Sequence, residues 1–203
     1  MHISAVLLAA GRSSRFGSDK RLALLGDGRP LLLASAANLR AVVQDCVVVL
    51  ERRDFALADE LLAMDFHIQV CEGDERGMGH SLAAGINARV EADGWLILPG
   101  DMPWIGVGTI RCVVDVLSEG ADAAVPSYQG KRGHPVGFSS RFRDCLLALH
   151  GDRGGRDLLD YGDGATRIID VTDPGVCMDA DRPEDLLRYQ AFFSARAPIR
   201  GDS

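Results

Sequence analysis

Short apolar runs alternate with amphipathic stretches along this chain, and polar, glycine-bearing loops separate them. Residues 2–9 form an apolar run that predicts a buried strand, as do CVVVL at 46–50, WLIL at 95–98 and the stretch 121–126. FHIQVC at 66–71 alternates apolar and polar positions and predicts a further strand, and 166–171 another. Helical character follows Pro30 in LLLASAANLRAVV, covers 54–63, recurs at Leu82, Ile86 and Val90, and returns at 110–117 and 141–149, where Ser139 or Ser140 can cap. Pro30 and Pro183 stand where the first residue of a helix is expected, the second opening PEDLLRYQAFFSAR. Residues 130–138 (GKRGHPVGF) predict a turn running into an extended segment, with His134 exposed, and 151–159 a loop opening a short helix.

Strands alternating with helices predict an α/β fold around a mostly parallel, Rossmann-like sheet, and in such sheets ligands bind outside the carboxyl ends of the strands. The loops after the first, third and fourth strands carry most of the chemistry-bearing residues and fall at that one edge. With 203 residues and no interdomain linker, a single domain over 1–197 is expected, with 198–203 a frayed tail.

Composition narrows the partners. The apolar share of 47% and charged share of 25% are those of a soluble globular protein, and the net charge of −7 argues against nucleic acid as a partner. No apolar stretch is long enough to span a membrane, and the apolar start lacks a basic leader, so it reads as a strand rather than a signal peptide. Cys46, Cys71, Cys112, Cys145 and Cys177 are scattered and odd in number, which fits buried or half-buried free thiols in a cytoplasmic protein better than a disulfide framework or a zinc site.

Against this acidic background, residues 7–22 (LLAAGRSSRFGSDKRL) stand out: Arg12, Arg15, Lys20 and Arg21 face a single acid, Asp19, in a loop that leaves a buried strand. Such a loop suits phosphates. It is no P-loop, because Ser18 and Asp19 follow Gly17 and Lys20 comes late. It is no dinucleotide fingerprint either, since Arg12 and Ser13 follow Gly11. What remains is the spacing L-A-A-G-x-S-x-R-x-G-x-x-K.

With that loop, Gly77-Met78-Gly79-His80-Ser81-Leu82, Pro99-Gly100-Asp101-Met102-Pro103, Gly133-His134-Pro135-Val136 and 151–156 (GDRGGR), the chain resembles the MobA-like nucleotidyltransferases of molybdenum-cofactor biosynthesis, within the nucleoside-triphosphate transferases. The resemblance spans nearly the whole chain and implies a three-layer α/β/α sandwich. The Gly-Met-Gly and Gly-His-Pro segments are similar to the cytidylyl branch, and Ala10 stands where the guanylyl branch has a second glycine. Phe16 replaces the family's usual methionine.

The resemblance implies attack by an acceptor phosphate on the α-phosphorus of CTP, with release of pyrophosphate. A phosphate monoester has a second pKa of about 6 and needs no general base near neutrality. Leu8, Ala9, Ala10, Gly11, Arg12, Ser13 and Ser14 would hold the nucleotide, together with Gly77, Ser81 and Gly100. Arg15 would clamp phosphate oxygens, and Lys20 would neutralise charge at the α-phosphate. Asp101 would bind Mg²⁺, with Asp179 or Asp181 completing the site, although Asp181 serves equally as a helix cap. His134, Pro135 and Arg156 would meet a molybdopterin-type acceptor, and a molybdenum hydroxylase would receive the product. Two alternatives stay open: transfer to a sugar phosphate or other alcohol phosphate, and a non-catalytic module that binds or delivers the cofactor.

Overall fold

The computed structural model describes residues 1–11, 16–51, 57–71, 77–160 and 166–196. Eight strands make one sheet: β1 (Ile3–Leu8), β2 (Asp45–Glu51), β3 (Phe66–Cys71), β4 (Gly94–Pro99), β5 (Ala123–Tyr128), β6 (Lys131–Arg132), β7 (Val136–Ser139) and β8 (Thr166–Asp170). The helices are α1 (Leu31–Arg40), α2 (Ala58–Ala63), α3 (Met78–Asn87), α4 (Val107–Ser118), α5 (Arg143–Leu147) and α6 (Pro183–Arg196). The strands run in the order β3-β2-β1-β4-β7-β5-β6, and β8 pairs with β5. Strands β1 to β4 pair in parallel among themselves, β5 pairs in parallel with β8, and β7 runs antiparallel to β4 and β5.

Period-two alternation decides the layers. In β1, Ala5 and Leu7 face one core and Val6 the other; in β4, Leu96 and Leu98 oppose Trp95 and Ile97 in the same way. Leu32, Ala36 and Leu39 of α1, Leu61 of α2 and Ile110, Val113 and Leu117 of α4 fill the first core. Leu82 and Ile86 of α3 and Leu146 of α5 fill the second. The result is the α/β/α sandwich. A buried leucine or valine contributes about 1.5–3 kcal/mol, so both faces are held mainly by these side chains. Gly85 lets α3 sit close on β1, since a Cβ there would collide with Val6.

The expected elements are present, with shifts at their ends. Pro30 is the N-cap of α1 rather than its first residue, and the stretch 140–147 begins as a tight 3-10 turn before α5. Neither Ser139 nor Phe142 caps these turns through its side chain. The thiols are all free, but Cys112 and Cys145 are exposed, because they sit on the outward faces of α4 and α5. No helix among the described residues is long and apolar enough to cross a membrane.

β4 and β5 flank the antiparallel return strand β7. β7 meets β5 at Ala123–Ala124, whereas β6 meets it at Ser127–Tyr128 with the register displaced by two residues. Gly133 to Pro135 make up the displacement, and the His134 N–H leaves the ladder to donate to the Val176 carbonyl at 2.9 Å. The bond between His134 and Pro135 is cis.

Candidate active site

At the carboxyl end of β1 the chain leaves the sheet through Ala9 and Ala10. The Ala9 N–H donates to Val49 O at 3.0 Å, and the Gly100 N–H donates to Leu8 O at 2.8 Å, so the turns after β1 and β4 lie side by side. Gly100 has no spare room: a Cβ would stand 2.7 Å from Leu32 Cδ1 and 3.1 Å from Leu8 O. Ser35 Oγ donates to Gly100 O at 3.0 Å, and Asn38 Nδ2 donates to Pro103 O and Ile105 O at 2.9 and 3.1 Å. Helix α1 thus grips both ends of the turn that carries Asp101.

The Lys20 side chain crosses to that turn. Its Nζ lies 2.6 Å from Asp101 Oδ2 and 3.3 Å from Asp181 Oδ1. Burial works against the ammonium, but Asp101, and after it Asp181, outweigh burial and hold its pKa above the ordinary lysine value. Arg21 beside it donates to Ala9 O at 2.9 Å and forks onto Asp19, whose carboxyl it holds below the usual range against some burial. The Ala180 N–H donates to Asp101 O at 3.1 Å, which brings the segment before α6 onto the same turn. Three remote stretches therefore meet at one cation.

Asp101 Oδ1 is buried and has no hydrogen-bond partner among the described residues. A carboxylate oxygen left bare in this way, with Asp181 nearby, is hard-oxygen chemistry suited to Mg²⁺ or Mn²⁺. Among the described residues no group of three or more ligating side chains gathers, so phosphates and water would have to complete the shell.

A second cluster surrounds His134. Its imidazole is largely enclosed, contrary to the exposed turn that the sequence suggested, because the 3-10 turn Pro174–Cys177 folds over it; a Cβ on Gly133 would collide with Val176 O. Desolvation, opposed by Asp179 and the Ile97 backbone and helped by Arg156, lowers the His134 pKa to about 4. The ring is neutral at physiological pH, and its buried Nδ1 has no partner among the described residues. Pro135 is buried beside it, while Arg156 and Asp179 are exposed. The two acids of CMDAD are thereby separated: Asp181 reaches Lys20, and Asp179 acts on His134 and on Cys177, whose thiol is pushed up chiefly by burial. Asp173 ties this segment down. Its carboxylate accepts from Gly106 N at 2.8 Å, Thr109 Oγ1 at 2.7 Å and Gly175 N at 2.9 Å.

A third group lies at the start of α3. Gly77, at φ 127°, and Gly79 have no room for a side chain against the backbone of His150, Gly151 and Arg153, and the Gly79 N–H donates to Gly151 O at 2.9 Å. Ser81 Oγ turns back and donates to Gly77 O at 3.4 Å. Arg12, Ser13, Ser14 and Arg15 lie outside the described residues, as do residues 198–203. Phe16 is buried with Leu31, Ala180 and Leu186, so this replacement is a packing feature.

Sequence reasoning missed Ser35 and Asn38. Their signal was present: two polar residues three apart on an otherwise apolar helix, aimed at backbone carbonyls. It also missed Arg21 as a brace on Ala9 and Asp173 as the clamp on the segment 173–181.

Residues 5–167 match the model of the MobA-like NTP transferase domain. The chain belongs to that family. It is 33% identical over 201 residues to the purine catabolism protein PucB of Bacillus subtilis, covering 92% of this chain and 96% of that protein. It is 31% identical over 167 residues to a molybdenum cofactor guanylyltransferase of Shewanella woodyi, covering 79% and 80%. The crystal structure of Rv0371c from Mycobacterium tuberculosis superposes with a TM-score of 0.78 at 31% identity over 94% of this chain and 97% of that one; a manganese complex of Rv0371C superposes with a TM-score of 0.75 at 29% identity over 94% and 99%. The MobA-like family is one of nucleotidyltransferases, and the edge where Lys20, Asp101 and Asp181 meet lies at its strand carboxyl ends.

Proposed function

We propose that this MobA-like nucleotidyltransferase transfers CMP from CTP to the terminal phosphate of a molybdopterin-type acceptor. The observation that carries the reading is the Lys20 ammonium held between Asp101 and Asp181, with one Asp101 oxygen bare, beside the turn that leaves β1. An acceptor phosphate oxygen attacks the α-phosphorus, the bond to the bridging oxygen breaks, and pyrophosphate leaves with the electron pair. Lys20 stabilises the charge that develops at the α-phosphate, and Arg15 clamps the departing end. Asp101 and Asp181 would hold a divalent cation, Mg²⁺ or Mn²⁺, which neutralises phosphate charge when bound. The manganese complex among the similar structures supports the use of a divalent ion. His134, neutral and with a free buried Nδ1, offers a hydrogen-bond acceptor rather than a charge to the pterin side, with Pro135 and Arg156 beside it.

Ala10 supports cytidine: it is half-buried against the α3-side core at the turn where the guanylyl branch has glycine. The relative in Shewanella woodyi, a guanylyltransferase, supports GTP as a second reading. Thermal shifts with CTP, GTP and ATP, each with Mg²⁺, separate them. A ligand at a hundredfold excess over its Kd stabilises by about 2.7 kcal/mol. CTP is expected to give the largest shift; equal shifts for all three, or a larger one with GTP, would remove the cytidine reading.

A further inference from the structure

Lys20 and a divalent ion want the same place. The ammonium is 2.6 Å from one Asp101 oxygen and 3.3 Å from Asp181, so it bridges the two carboxylates that would ligate the metal. It does so as a mostly buried side chain, 16% exposed, whose arrival there is built into the fold: Asp19 caps the short turn Lys20–Leu22, and Arg21 pins that turn to Ala9. A divalent ion entering between Asp101 and Asp181 meets a resident positive charge at close range, where like charges repel strongly.

We infer that Lys20 is a stand-in cation, which competes with free metal for the two carboxylates and weakens its binding until a triphosphate arrives to take the lysine away. This rests on the reading that Asp101 and Asp181 are the metal ligands. The triphosphate offers Lys20 a second anion in exchange for the carboxylates. Lys20 then swings to phosphate, both aspartates open to the metal, and Asp101 Oδ1 gains the partner it lacks. The consequence is coupling: nucleotide tightens metal, and metal tightens nucleotide by the same factor, as linkage requires. Lys20 is thus a positioning residue for metal entry as well as a group that meets the reacting phosphate.

The test is Mn²⁺ binding to the nucleotide-free protein, followed by electron paramagnetic resonance, for the wild type, Lys20→Met, Lys20→Arg and Asp101→Asn. Lys20→Met is expected to bind free Mn²⁺ about tenfold or more tightly than wild type, and adding CTP should improve its Mn²⁺ affinity far less. Lys20→Arg, which keeps the charge, should stay near wild type. Equal or weaker Mn²⁺ binding by Lys20→Met would overturn the exchange. Asp101→Asn should lose the Mn²⁺ signal; if it does not, the metal-site reading fails instead, and the two failures are distinguished. Should Lys20→Met not fold, the wild type still decides. Reductive methylation of Lys20, read by mass spectrometry, should be slow without metal and faster at saturating Mg²⁺ alone, whereas a rate indifferent to Mg²⁺ contradicts the exchange.

Discussion

The Lys20 cluster and the His134 cluster share the segment 173–181, yet they are built on opposite principles. Around Lys20, opposite charges are brought together: one ammonium lies between two carboxylates, one of which keeps a bare oxygen. Around His134, charge is removed: burial drives the imidazole to its neutral form although Asp179 stands near enough to favour the cation. The difference is what the proposed nucleotidyl transfer would ask of its two ends. The reacting phosphates carry several negative charges, so their end needs cations. A pterin ring is recognised by shape and by hydrogen bonds, for which a neutral buried nitrogen is suited. One short segment reaches both clusters, because its alternating residues Asp179 and Asp181 meet different neighbours while the buried Ala180 between them is tied to Asp101.

Breaking the charged cluster should have the larger effect. Asp101→Ala is expected to lower kcat by roughly 10²–10³-fold, the size seen when one preorganised electrostatic group is lost. Its melting temperature should stay within a few degrees of wild type, because the turn is held by α1 through Ser35 and Asn38. Steady-state pyrophosphate release with a parallel melting curve checks this; an Asp101→Ala enzyme with wild-type kcat would erase the contrast between the clusters.

The smaller effect comes from the neutral cluster and is read as pH dependence of stability. The His134 pKa falls from 6.5 to about 4 on folding. The unfolded chain therefore binds more protons in that window, and stability rises with pH there. The His134 contribution is fully present above about 6.5 and is lost as pH falls towards about 4, with a slope of at most ~1.4 kcal/mol per pH unit for one proton. Urea unfolding of wild type and His134→Gln between these pH values should show this slope in the first and its absence in the second. Parallel curves would mean that the ring is open to water and that the second cluster is not built on desolvation.

Much of this arrangement was legible in the chain. The alternation in FHIQVC gives β3 with its ends, and the proline-led PEDLLRYQAFFSAR gives α6 with its ends. Lys20 and Asp101 stood out because cations after a buried strand, and an acid in a Pro-Gly-Asp turn after another, are local signals. The His134 environment was not legible. Nothing near Gly133-His134-Pro135 says that residues 174–177, some forty positions later, will cover it. The roles of Asp179 and Asp181 were equally hidden, because their separation depends on the Ala180 bond to Asp101. Ser35 and Asn38 were overlooked because a polar residue on an apolar helix points to a partner without naming it.

On the proposed reading, this edge of the sheet moves a nucleotidyl group. The most direct measurement supplies CTP labelled at the α-phosphorus or at the γ-phosphorus, with molybdopterin and Mg²⁺, and follows the label. The α-label is expected in the pterin product and the γ-label in pyrophosphate, both dependent on acceptor. The γ-label appearing in the pterin, or α-label remaining in CTP while the protein binds both ligands, would contradict that reading.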